Sequence, residues 1–243
     1  MGTIDESEIE RFSRLASTWW DPTGPMRPLH RLNPVRIGYV RDRLAAHFVR
    51  DPKSVRPFTA LRLLDIGCGA GLIAEPMTRL GFSVLGVDAA KESIEVARRH
   101  AEEGGLAVEY RVATAEDLAA AGERFDAVLA LEIVEHVADV ALFLAAAASL
   151  VKPGGAIVLS TLSRTAKSFV MAIIGAEYLL GWLPRGTHEW RRFVRPSELI
   201  PPLRRAGLRV KGLTGVAYDP LAADWRLAPR DLDVNYMAFA VRP

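Results

Sequence analysis

The sequence predicts an α/β protein: a doubly wound, mostly parallel sheet with an N-terminal helical extension and an antiparallel strand pair at its C-terminal edge. Three observations predict it. Residues 63–71 read Leu-Leu-Asp-Ile-Gly-Cys-Gly-Ala-Gly, an apolar run leading into three alternating glycines and then a helical pattern. A buried parallel strand reads as such a run, and glycine lets the backbone turn sharply and a ligand approach with no Cβ in the way. From residue 61 to residue 161, strand and helix patterns alternate, as parallel strands joined by crossover helices require. After Thr161 the alternation breaks, and the last two strand patterns are joined by a stretch too short and irregular for a crossover. Such strands pair antiparallel.

Each element follows in order. Residues 8–17 have helical periodicity through Ile9, Phe12 and Leu15, and Trp19-Trp20-Asp21-Pro22 ends the run. Residues 21–28 read as a loop and 30–48 as a second helical region, with Pro34 near its start, where proline is tolerated. Residues 1–60 thus form a helical cap before the sheet. Strands are expected at 61–66, 83–87, 107–112, 127–131 and 156–161. Helices are expected at 72–80, 91–103 and 140–150, with a shorter segment at 115–120. A last helix covers 196–206, and strands 210–218 and 235–241 close the chain. In a parallel sheet of this kind, ligands bind beyond the carboxyl ends of the strands. Gly71, Asp88, Thr114, Leu131 and Thr161 all map to that edge.

Composition bounds the function. Half of the 243 residues are hydrophobic, enough for a sizeable core. The one cysteine, Cys68, excludes an intramolecular disulfide and a cysteine metal cluster and fits a reducing cytoplasm. Residues 1–10 are acidic and polar, unlike a secretory or transit signal, and no apolar run reaches spanning length. Net charge is only +2, yet residues 160–211 carry ten Lys/Arg against three acids. A local basic region of that kind suits an anionic partner; nothing points to nucleic acid.

The glycine spacing selects the ligand class. A dinucleotide turn is G-x-G-x-x-G, but Leu72 and Ala74 stand where its third glycine would fall. The pattern present, D-x-G-x-G-x-G from Asp65 through Gly67, Gly69 and Gly71, resembles motif I of the class I S-adenosylmethionine-dependent methyltransferases. Asp88 ends the next strand about twenty residues on, where an acid takes both ribose hydroxyls. Asp65 and Gly67 would hold the methionine part. Arg36 could pair bidentately with the cofactor carboxylate. Thr114-Ala115-Glu116-Asp117 follows the third strand where an adenine would be contacted. Methyltransferases often have Asp at the position of Thr114, which leaves the Ala115 backbone or Glu116 as the candidates.

Glu132, Glu135 and His136 follow the fourth strand at the spacing i, i+3, i+4. One helical turn would put all three on one face. Two carboxylates and an imidazole can hold a hard cation such as Mg²⁺. Alternatively, His136 acts as a general base oriented by Glu135. His188 reads as a loop residue.

Several segments resemble the ubiquinone-biosynthesis O-methyltransferase family: Ala-Ser-Thr-Trp-Trp-Asp at 16–21, Leu-His-Arg-Leu-Asn-Pro-Val-Arg-Ile-Gly-Tyr at 29–39, the glycine turn, 132–137, 150–155, 175–178, 186–188 and Asp-Val-Asn-Tyr-Met at 233–237. The resemblance implies a Rossmann-like class I fold at 61–243 with an apolar and basic insertion at about 163–195. It implies S-adenosylmethionine contacts at Arg36, Gly67, Asp88 and Leu131, and Mg²⁺ at Glu132, Glu135 and His136. The implied reaction methylates polyprenylated catechol-type hydroxyls at two steps of ubiquinone synthesis, and other proteins of that synthesis are possible partners. A polyprenyl tail resides in a bilayer. Residues 169–183, apolar apart from Glu177 and flanked by Arg164, Lys167 and Arg185, would then dock a cytoplasmic enzyme on an anionic membrane surface. Rival readings are a methyltransferase with another small-molecule acceptor and a lipid-associated scaffold that keeps the cofactor fold.

Overall fold

The computed structural model of the chain describes residue 3, residues 5–171 and 189–220, residue 222 and residues 224–243. One eight-stranded sheet has the order β3-β2-β1-β4-β5-β8-β6-β7. Its strands are β1 (Arg62–Ile66), β2 (Ser83–Asp88), β3 (Glu109–Val112), β4 (Phe125–Leu131), β5 (Val151–Leu162), β6 (Arg209–Asp219), β7 (Asp224–Ala228) and β8 (Asn235–Val241). Strands β1 to β5 pair parallel, and β8 pairs antiparallel with both β5 and β6. The expected antiparallel pair of closing strands is present, and β7 extends the edge beyond it.

The helices are α1 (Glu6–Leu15), α2 (Arg27–His47), α3 (Ala74–Arg79), α4 (Lys91–Glu103), α5 (Ala115–Ala120), α6 (Val140–Ser149), a short α7 (Ala166–Ser168) and α8 (Pro196–Arg205). They cover both faces of the sheet. On one face, Leu32, Tyr39, Val40 and Leu44 of α2 join Met77 and Ile94 against Leu63 and Leu129. On the other, Leu118, Phe143, Leu144, Leu199 and Leu203 pack on Leu64 and Val128. Leu63 and Leu64 face opposite layers because successive strand side chains alternate. The apolar run of β1 is therefore buried on both sides.

Several boundaries differ from expectation by two residues or more, three of them with a clear local cause. Helix α2 begins at Arg27, so Pro34 lies inside it and Pro28 occupies the start. Helix α3 begins at Ala74, because the glycine turn extends two residues further. The Lys152-Pro153-Gly154-Gly155 turn is absorbed into β5. Of the apolar segment 169–183, residues 172–183 lie outside the described residues, as does His188.

A buried tyrosine ties β8 to the segment before α8. The Tyr236 hydroxyl donates to the Val194 carbonyl at 2.9 Å, and the ring is fully buried. Tyr236→Phe leaves that carbonyl unpaired and is expected to cost about 1–2 kcal/mol. Urea unfolding measures it; an unchanged midpoint would contradict the assignment.

Candidate active site

A cavity of about 790 Å³ opens beyond the carboxyl ends of β1, β2 and β4. Asp65, Gly67, Asp88, Ala115, Leu131, Glu132, Glu135, His136 and Arg36 all line it. The sheet thus gathers at one edge residues that the sequence spreads over a hundred positions.

The glycine turn forms the floor. The N–H groups of Gly67 and Cys68 both donate to the Val87 carbonyl, at 2.8 and 3.0 Å, and tie the turn to β2. Gly67 has φ 69°, and a Cβ there would lie 2.8 Å from the Ile133 side chain. Gly69 has φ 52°, and a Cβ there would run into the Trp19 indole. Gly69 and Gly71 do not line the cavity; Trp19 covers the first and the Tyr110 hydroxyl the second. The Trp-Trp segment is thus a lid on the turn. Trp20 donates to the Ala70 carbonyl at 3.0 Å and stacks on His100 with ring centroids 3.4 Å apart.

Asp88 accepts from the N–H of Gly69 at 2.9 Å and of Ala90 at 2.8 Å. Burial raises its pKa above the ordinary carboxylate value, against those backbone bonds. Asp65 is pushed up to about 8, by burial first and the Asp88 charge second. Its Oδ2 is buried without a hydrogen-bond partner. Arg36 is 2% exposed and lies 2.8 Å from Glu132 Oε1, while its Nη1 donates to Asn33 at 3.2 Å. Its Nε has no partner. A buried guanidinium with a spare donor and a buried carboxylate with a spare oxygen suit a zwitterionic ligand. Thr114 is consumed as the α5 N-cap in a reciprocal pair with Asp117. Ala115, buried on the cavity wall, opens that helix, where the first N–H groups lack intrahelical partners. Glu116 accepts from Thr3 at 2.6 Å.

Beyond β4 the structure corrects the sequence reading. Glu132, Glu135 and His136 do not share a helical face. Glu132 has φ 54°, and only Val134–His136 forms a single tight 3-10 turn. Glu132 accepts from Ser160 at 2.7 Å and from Asn235 at 3.1 Å, besides pairing with Arg36. Glu135 accepts from Thr161 at 2.7 Å, and burial together with the Glu132 charge pushes it up to about 7. His136 Nδ1 lies 2.7 Å from Glu8 of α1, so Glu8 rather than Glu135 orients the ring. Burial alone would lower the imidazole pKa; the Glu8 bond and the Glu135 charge outweigh it and raise it. With three side chains facing three different partners, the set does not fit a cation held between them. Among the described residues no group of three His, Cys, Asp or Glu side chains is placed to hold one.

Sequence reasoning missed Glu8 and Ser160 as site residues, and it placed Thr161 at the strand edge without a role. Glu8 is 128 residues from His136 and carried no signal beyond its place on a helix. Asn33 and Asn235 stood within segments of the family resemblance and were not singled out.

A doubly wound sheet with β8 inserted antiparallel, the D-x-G-x-G-x-G turn and an acid ending β2 define a class I S-adenosylmethionine-dependent methyltransferase. Residues 64–159 match the family described as methyltransferase domain. Two solved structures share the fold. One is an S-adenosylmethionine-dependent methyltransferase from Clostridium acetobutylicum, with TM-score 0.66, 11% identity and 95% and 98% of the two chains covered. The other is magnesium protoporphyrin IX methyltransferase from Synechocystis with bound S-adenosylmethionine, with TM-score 0.65, 16% identity and 99% and 98% covered. The ubiquinone biosynthesis O-methyltransferase of Chelativorans sp. is 56% identical over 241 residues, 99% of this chain and 95% of its own. That of Brucella anthropi is likewise 56% identical, over 99% and 97%. The chain belongs to the ubiquinone biosynthesis O-methyltransferase family.

Proposed function

We propose that this enzyme O-methylates polyprenylated catechol-type intermediates, 2-polyprenyl-6-hydroxyphenol and 3-demethylubiquinol, with His136 as general base. One observation carries the reading: a single cavity joins the residues that fit the cofactor to His136, whose Nε2 has no hydrogen-bond partner among the described residues. The same cavity continues past Leu162, Met171, Val216 and Val234, an apolar wall that suits an aromatic ring bearing a prenyl tail.

S-adenosylmethionine supplies an activated methyl group, and transfer is an in-line displacement that forms the O–CH₃ bond as the S–CH₃ bond breaks. Arg36 takes the amino-acid carboxylate and Asp65 the ammonium. Asp88 takes the ribose hydroxyls, the Ala115 N–H an adenine nitrogen, and Leu131 packs beside the nucleoside. His136 removes the phenol proton, which at a pKa of about 10 is largely retained in neutral water. Glu135, which burial holds at about 7, favours the imidazolium in its ionised form. General-base catalysis contributes about 10²–10⁴ in rate. His136→Ala is therefore expected to lower kcat by about 100-fold or more with cofactor affinity retained.

The assay uses labelled S-adenosylmethionine and a short-chain prenylated catechol, with Mg²⁺ and with EDTA. Label in the methoxy product supports the reading. Tight cofactor binding without transfer favours another acceptor or the scaffold. Transfer that survives EDTA is what the present partners of Glu132, Glu135 and His136 predict. Transfer that requires Mg²⁺ would mean that these side chains exchange partners around a cation.

The membrane expectation belongs to the same proposal. Phe169, Val170 and Met171 are each 43–52% exposed beside Lys167, and Met171 and Lys167 also line the cavity. This apolar rim supports substrate entry from a bilayer, where Lys167 would exchange its partner Asp231, 2.6 Å away, for an anionic headgroup. No helix among the described residues is long and apolar enough to cross a membrane. Flotation with phosphatidylglycerol vesicles tests it: binding that weakens with salt and in Phe169→Ser is expected, and equal binding to neutral vesicles would refute the electrostatic part.

A further inference from the structure

We propose that Glu8, on the N-terminal helix, is the positioning residue of the catalytic base, so that the active site is complete only when α1 is seated. The proposal rests on the reading of His136 as base. Its ground is geometric. Glu8 Oε2 lies 2.7 Å from His136 Nδ1. A carboxylate only accepts, so Nδ1 carries the proton and the Nε2 lone pair is left toward the acceptor. When Nε2 takes the phenol proton, the imidazolium keeps its Nδ1–H on Glu8 and its charge is met by that carboxylate. The phenol oxygen then uses its freed electron pair on the methyl group, the S–CH₃ pair returns to sulfur, and the proton leaves from Nε2 after product release.

The ring is also fixed from α1 by Phe12, edge-on at 5.3 Å between centroids and 89° between planes. Both Glu8 and Phe12 line the cavity. The helix is held over it at several points. Asp5 pairs with Arg192 at 2.7 Å, Thr3 donates to Glu116 at 2.6 Å, and the Thr3 carbonyl accepts from Ala138 at 2.8 Å. Ser13 donates to Glu92 at 2.6 Å, away from the cavity lining. No side chain of α1 is fully buried; these polar contacts seat it together with Phe12 and Leu15, which pack on the Trp19, Met26 and Leu72 cluster. Helix α1 therefore brings two groups to the base, Glu8 and Phe12.

Glu8→Gln keeps the size of the side chain and removes its charge. It is expected to lower kcat about tenfold to a hundredfold, with KM for S-adenosylmethionine and calorimetric affinity for S-adenosylhomocysteine unchanged. Ser13→Ala breaks another α1 contact and is expected to leave kcat unchanged. In a His136→Ala background, Glu8→Gln is expected to add nothing, because residues that act as a unit are not additive. A rise in cofactor KM for Glu8→Gln, or an equal loss in Ser13→Ala, would mean that Glu8 only anchors the helix. Wild-type kcat in Glu8→Gln with an inactive His136→Ala overturns the Glu8 proposal and leaves the base standing. Full activity of His136→Ala removes the base reading, and this proposal with it.

Discussion

Arg36→Met is expected to abolish cofactor binding and also to destabilise the fold. The guanidinium is buried against Glu132 and Asn33, and removing one partner of a buried pair typically costs about 3–5 kcal/mol because the other charge is left uncompensated. Glu132 keeps Ser160 and Asn235 and is 18% exposed toward the cavity. The lower end of that range is therefore expected, about 3 kcal/mol. Urea unfolding and calorimetry with S-adenosylhomocysteine separate the two effects. The double variant Arg36→Met, Glu132→Gln removes the stranded charge, so it recovers much of the stability and none of the binding. Recovery of binding in that variant would show that Arg36 serves only Glu132.

Asp65→Asn is expected to stabilise the free enzyme at pH 8 while weakening its grip on the cofactor. Burial and the Asp88 charge hold the Asp65 carboxyl at about 8 against 3.8 in the unfolded chain. Between those values the folded state binds the extra proton. The contribution is thus fully present below about 3.8 and is lost as pH rises toward about 8. Each pH unit in that window removes about 1.4 kcal/mol, so the summed effect is on the order of a few kcal/mol. Asparagine cannot titrate, and the difference in unfolding free energy between wild type and variant should shrink from pH 8 to pH 4. Cofactor affinity should move the other way. An ionised Asp65 faces the ammonium, so wild-type affinity rises from pH 6 toward 8 and that of the variant does not. Parallel stability curves for the two proteins would sink the assignment of a buried protonated acid.

The two changes bear on one design feature. Cofactor sites of this sort hold charges that the ligand-free fold tolerates at a cost, and the ligand's own charges relieve it. Asp65 and Arg36 are of opposite sign, each retains a polar atom without a partner, and the amino-acid end of the cofactor carries the complementary pair. Stability and affinity are then expected to trade against each other at Asp65, whereas at Arg36 the pairing with Glu132 makes both fall together.

The cofactor half of the site was legible in the residues because it is local. A strand, a glycine turn and a helix start line the cavity with neighbours in sequence, so Asp65, Gly67 and Asp88 are candidates by spacing alone. The alternation that builds the two-faced sheet is equally local. Strand β7 was not legible. Its residues, Asp-Trp-Arg-Leu-Ala, pair on one side only at the sheet edge and are mostly exposed, so no apolar run marks them. The acceptor half was misread for a different reason. The spacing of Glu132, Glu135 and His136 suits an α-helix, but the chain leaves β4 through a left-handed Glu132 and a tight turn. Tertiary partners then pull the three side chains toward Arg36, Thr161 and Glu8.

What the sequence by itself determined is the class of sheet, the ligand-binding turn and the family. All three rest on periodicity, on the conformations only glycine adopts readily, and on contiguous segments. What only the tertiary structure decided is which groups face one another across the cavity. The partner of His136 arrives on a helix 128 residues away. The partner of Glu132 lies inside α2. Neither pairing leaves a local mark, because an ion pair constrains the distance between two side chains and not the residues along the chain between them.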